Sequence, residues 1–137
     1  MFFQAIRKLP TEERKQLLPA LWRLIWVGVL LRFGIQKSAR WLGGSPEASS
    51  TPLALEKWRV RAQVLRRLSS RLPTIECLQR AMTLRWWMRS QGLPAQLIIG
   101  ARTSQGNLRS HAWVEVSGQR FDGSDSEKLT FEEVQRI

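Results

Sequence analysis

A chain of 137 residues is long enough for one domain with a real core and too short for two. Its 43% apolar and 24% charged residues, with seven tryptophans, exclude wholesale disorder, while one cysteine excludes an internal disulfide and one Cys with one His excludes a Cys/His structural zinc site. The 22 Lys and Arg against 11 Asp and Glu leave a net charge of +11, which attracts anions without choosing among nucleic acid, an acidic peptide and an anionic membrane face.

The first residues, Met1-Phe2-Phe3-Gln4, carry few early positives, and no small-residue cleavage site follows an apolar core, so no secretory signal is read here. Thr11 is a candidate N-cap with Glu12 and Glu13 in the first turn, and a helix is predicted over about 12–33. Pro19 kinks that helix or delays its start, and Gly34 stops it. Its second half is apolar nearly all round, which predicts burial, a partner, or both. Leu24 to Leu31 is the longest uncharged apolar run; its eight residues fall far short of the about 20 needed to span a bilayer. A cytoplasmic protein is expected, with loose membrane-surface contact through this segment left open.

Residues 35–42 add a helical turn or two. Gly43 to Pro52 is a loop by composition. A second long helix, about 53–71, spaces Leu55, Trp58, Ala62, Leu65 and Leu68 at helical intervals. Lys57, Arg59, Arg61, Arg66, Arg67 and Arg71 sit between them, as a solvated face or an anion-binding one. After Leu72-Pro73, Thr74 can cap another helix running to about Gln91, ended by Gly92-Leu93-Pro94. Residues 96–102 read as a buried strand and 103–109 as a polar loop. Residues 111–116 alternate in character, and Ser117-Gly118 turns the chain into a return strand. Thr130-Phe131-Glu132-Glu133 fits a capping box and predicts a short terminal helix. Helices first and a three-strand meander after predict an α+β fold in a single domain, 1–137, with a helical part over 1–71 and a second part over 72–137.

The hairpin sorts its residues. A two-residue turn at Ser117-Gly118 pairs Val116 with Gln119, Glu115 with Arg120, Val114 with Phe121 and Trp113 with Asp122. Ala112, Val114, Val116 and Phe121 then face the core. His111, Trp113, Glu115, Arg120 and Asp122 share the other side, with Asp122 diagonal to His111 and within side-chain reach. The simplest reading of Glu115 opposite Arg120 is a surface ion pair. A carboxylate that orients an imidazole is half of a nucleophilic triad. The sole cysteine, Cys77, falls in the first turn of its helix if Thr74 is the cap. There the helix end and free N–H groups favour thiolate, while Glu76 opposes it. Taken singly, a lone cysteine reads as a small buried apolar residue, a lone strand histidine as structural and Trp113 as packing. Together they describe acyl transfer by a Cys-His-Asp set, with Asp125 competing with Asp122 for the third role. The Cys77 backbone N–H would supply part of an oxyanion hole.

The segments Cys77-Leu78-Gln79-Arg80-Ala81, Gln91-Gly92-Leu93-Pro94-Ala95-Gln96-Leu97 with Gly100-Ala101-Arg102, and His111-Ala112-Trp113-Val114-Glu115-Val116 with Gly118 resemble the lasso-peptide biosynthesis leader peptidases. These are the transglutaminase-like family of microcin-processing proteins, in their short stand-alone form. The resemblance covers about Thr74 to Asp122. It implies a papain/transglutaminase-like α+β core with a Cys-bearing helix packed on a small antiparallel sheet. The implied activity is removal of the leader from a ribosomally made precursor peptide. Cys77 would be the nucleophile, His111 the general base and acid, and Asp122 the orienting acid, with Trp113 as a candidate substrate contact. Implied partners are the precursor peptide, a separate leader-recognition protein and an ATP-using macrolactam synthetase. The apolar first helix and the basic second one would be where such partners dock. No phosphate-binding glycine loop and no metal set is seen, so no cofactor and no metal is assigned. A basic helical nucleic-acid-binding protein is the alternative from another class; it explains the charge but not the Cys77/His111/Asp122 arrangement, so nucleic acid is not expected as a partner. A transglutaminase-like acyl transferase or an idle scaffold is the other alternative.

Overall fold

An amphipathic first half and an alternating second half resolve into helices packed on one antiparallel sheet. The structure, a computed structural model, describes residues 11–42, 55–71, 77–121 and 132–137. Among these, α1 is Thr11–Leu31, α2 Ile35–Trp41, α3 Leu55–Arg71 and α4 Cys77–Ser90; the strands are β1 Gln96–Ser104, β2 Asn107–Val116, β3 Gln119–Phe121 and β4 Glu132–Arg136. The fold is α+β, and its sheet runs β3-β2-β1-β4.

α4 is the central helix. Ala81 to Arg85, Trp87 and Met88 are all buried, which leaves this helix almost no solvent face. It packs on β2 on one side and on α1 and α3 on the other. α1 contributes Ala20, Leu24 and Val27 to that core, and α3 contributes Trp58, Ala62, Val64, Leu65 and Leu68. Pro19 is accommodated within α1, and Gly34 ends the first helical stretch with φ of 108°, a conformation costly for residues with a Cβ. The turn to α2 is closed by Ser38, whose hydroxyl donates to the Leu30 and Gly34 carbonyls at 2.8 and 2.7 Å.

α1 and α4 approach closely at Gly28. A Cβ there would meet the Gln79 side-chain nitrogen at 2.5 Å. That nitrogen donates to the Leu24 carbonyl at 2.7 Å, a bond linking residues 55 apart in the chain. A side chain at position 28 would therefore have to displace the Gln79 carboxamide and the bond it makes.

The α4 arginines reach other elements. Arg85 is buried and donates to the Ile137 and Ala39 carbonyls; burial, then repulsion from Arg89, pulls its pKa down to about 10. Arg89 donates to the Ala95 carbonyl at 2.7 Å, and Arg80 to the Ser69 hydroxyl at 3.1 Å. Each bond satisfies a polar group that burial would otherwise leave costly.

The β2–β3 hairpin has the expected register: Val116 pairs with Gln119, Glu115 with Arg120 and Val114 with Phe121. Ala112, Val114, Val116 and Phe121 are buried in the core, as alternation predicts. Two expectations are corrected. Residues 103–109 are not an open loop: β1 and β2 pair continuously to Ser104–Asn107 and close through Gln105-Gly106, with φ of 53° and 77°. Paired positive φ values are the geometry of a tight two-residue hairpin turn, which polar composition concealed. The terminal segment is also a strand. β4 pairs antiparallel with β1, and Leu97 and Ile137 exchange backbone bonds of 2.7 and 2.8 Å. A very short helix is marginal alone, whereas a strand satisfies the otherwise open edge of β1. Thr74, Asp122, Asp125 and the Gly43–Pro52 segment lie outside the described residues.

Replacing Gly28 with Val is expected to push the Gln79 carboxamide aside and to break the Gln79–Leu24 bond. The loss should be about 0.5–1.5 kcal/mol by urea denaturation. An unchanged denaturation midpoint would show that the crossing has room to spare.

Candidate active site

The packing of α4 across β2 decides which side chains meet. Cys77 stands at the N-terminal end of α4 and is half-buried. His111 stands in β2, half-buried, with Gly100 of β1 as its cross-strand partner, so no side chain crowds it from that position. The His111 side chain hydrogen-bonds the Cys77 thiol, and the Ala112 backbone N–H donates to it as well. The two residues singled out, 34 positions apart in the chain, are thus brought into contact.

The electrostatics favour thiolate. The His111 hydrogen bond is the largest influence, and it lowers the Cys77 pKa. Burial opposes it, since an anion loses hydration there. The Ala112 N–H and the charges of His111 and Arg80 add to the lowering, and the net direction is down. A cysteine at a helix N-terminus beside an imidazole has the setting of a reactive thiol rather than of an inert core residue. Arg80 and the Ala112 amide were not singled out from the sequence. Arg80 lies at i+3 from Cys77, so helical spacing alone would have placed it near the thiol. The amide carries no sequence signal.

The far side of His111 is stacked. Its ring and that of Trp113 lie 6.1 Å apart at 25° between planes, and the Arg120 guanidinium sits 4.2 Å from the Trp113 ring centre. Trp113 Nε1 donates to Glu115 Oε1 at 3.4 Å. Trp113 is buried and lies against the imidazole. Glu115 is the register partner of Arg120, but it forms an ion pair with Arg136 at 3.0 Å across the sheet. Arg136 also binds Glu133 and Gln96, so the ion pair anchors β4 to β2 over the intervening β1. Among the described residues, no group of three or more His, Cys, Asp or Glu could hold a metal ion.

Comparison with known proteins agrees with the α+β fold. The family model described as Transglutaminase-like superfamily matches residues 20–136. No match was found among curated proteins or among solved structures.

Alkylation of the sole thiol measures the effect directly. The pH midpoint for Cys77 should lie below the ordinary value of about 8.5, and His111→Ala should raise it most, with Arg80→Gln raising it less. Each unit of rise lowers the thiolate-to-thiol ratio about tenfold at any given pH. An unshifted midpoint in wild type, or one indifferent to His111→Ala, would contradict the hydrogen-bonded pair.

Proposed function

Because the chain belongs to the transglutaminase-like superfamily, we propose that it is a cysteine peptidase that removes the leader from a ribosomally synthesised lasso-peptide precursor. The observation that carries this reading is the hydrogen bond between Cys77 and His111 at the head of a buried helix. In the proposed reaction the Cys77 thiolate attacks the carbonyl carbon of the scissile bond. The Cys77 N–H helps to hold the oxyanion. The carbon–nitrogen bond breaks, and the His111 imidazolium gives its proton to the departing amine. His111 then takes a proton from water, whose oxygen attacks the thioester, releasing the acid and restoring the thiolate.

Asp122 is assigned the orienting role on the imidazole, with Asp125 as its competitor, on sequence grounds alone. The reading includes the cytoplasm as the compartment and three partners: the precursor peptide, a separate leader-recognition protein and a macrolactam synthetase. A basic nucleic-acid-binding helix has less support, because α3 uses part of its charge internally. Arg61 is buried, 4.4 and 4.5 Å from the Trp58 and Trp87 ring centres, and Arg67 pairs with Glu13 at 2.7 Å.

The test is cleavage of a synthetic precursor peptide, with and without the recognition protein, followed by mass spectrometry. One cut at the leader–core junction is expected, abolished by Cys77→Ala and slowed about a thousandfold or more by His111→Ala. Asp122→Asn should slow the reaction strongly and Asp125→Asn little. The opposite order would move the orienting role to Asp125. An amide product with added amine, in place of the free acid, would replace hydrolysis with acyl transfer.

A further inference from the structure

α1 shows two opposite faces. Ala20, Leu24 and Val27 are fully buried, while Trp22, Ile25, Trp26 and Val29, spaced i, i+3, i+4 and i+7, are 52%, 57%, 48% and 44% exposed. Phe33 and Trp41 extend this surface past the turn to α2; both are exposed, and their rings meet edge to face at 5.7 Å. An apolar surface of this size on a basic chain calls for an occupant.

The charges around it choose that occupant. Lys15, two turns before Trp22 on the same face, is exposed, and so are Arg32, Lys37 and Arg40 at the other end. From residue 14 to residue 46 the sequence holds no acidic residue at all. Glu12, which pairs with Lys15 at 3.9 Å, is the acid nearest the rim in α1. No helix among the described residues is long and apolar enough to cross a membrane. Aromatic and aliphatic side chains on one face with Lys and Arg at its rim are the composition of a helix lying in a bilayer interface. There tryptophan sits at headgroup depth and cations meet anionic lipid. A second copy of the chain is a poor occupant, because a symmetric contact would set this predominantly basic rim against itself.

We propose that the α1–α2 face docks on an anionic lipid surface, with Trp22, Ile25, Trp26, Phe33 and Trp41 seated among the headgroups and Arg32, Lys37 and Arg40 on lipid phosphates. The protein then works at a membrane surface. This surface is separate from the Cys77–His111 pair and does not depend on the peptidase reading.

Flotation with phosphatidylcholine vesicles, with and without about one third phosphatidylglycerol, tests the proposal on the full chain. Wild type is expected to float with the anionic vesicles, weakly with neutral ones, and less as salt rises. Ile25→Ser/Trp26→Ser should lose about tenfold or more in binding while its circular dichroism and Cys77 alkylation rate stay unchanged. Arg32→Gln/Lys37→Gln/Arg40→Gln, which leaves the apolar face intact, should lose the preference for anionic lipid. Failure of wild type to bind either vesicle overturns the proposal, whether or not sedimentation then shows a dimer on this face. Binding that survives Ile25→Ser/Trp26→Ser also overturns it, because net charge alone would then be responsible.

Discussion

α4 has to be buried on nearly every side, and the same helix carries the thiol at its head. That coupling governs the rest of the structure. Ala81, Met82, Leu84, Trp87 and Met88 fix the helix between α1 and α3 on one side and β2 on the other. Once the helix axis is fixed, Cys77 has no freedom to choose its neighbours. It meets the His111 side chain and the Ala112 amide because β2 runs beneath the end of the helix. The core is thus the device that assembles the pair, and a packing defect along α4 would reach the thiol through the helix itself.

Charge in this chain is used inside the fold more than the composition suggests. Arg85 and Arg89 close backbone carbonyls of neighbouring segments, and Arg80 reaches Ser69 while its charge favours the thiolate. Arg23 and Arg61 both lie over tryptophan rings, at 4.9 Å from Trp86 and 4.5 Å from Trp87. Burial lowers the pKa of each, and Arg23 lowers that of Arg61 further by repulsion. The ring faces supply part of what lost hydration removes. The cations at Lys15, Arg32, Lys37 and Arg40 are exposed instead and border an aromatic surface, where their physical role is different.

The sequence made the helices and the β2–β3 hairpin legible for identifiable reasons. Helical spacing located α3, cap and stop residues located α1 and α4, and Ser117-Gly118, with φ of 51° and 80°, set the register that puts Val114 and Phe121 in the core. The same Xaa-Gly pattern at Gln105-Gly106 was masked by its polar surroundings. β4 was hidden because local capping signals favour a helix, while the demand of β1 for a partner is not local. α1 read as apolar all round, yet only one of its faces is covered by the core. The arginine contacts of α4 were illegible because a guanidinium on a helix reads as surface until a buried carbonyl is known to face it. For Cys77 and His111, order along the chain suggested the pairing, and only the seating of α4 on β2 supplied the contact.

The most direct measurement is the mass of the protein during turnover of a precursor peptide, quenched in acid and digested to locate any adduct. A transient thioester on Cys77 is expected, absent in Cys77→Ala and greatly reduced in His111→Ala. Product released at an undiminished rate by Cys77→Ala, with no adduct on the wild-type thiol, would contradict the central claim that this cysteine is the nucleophile.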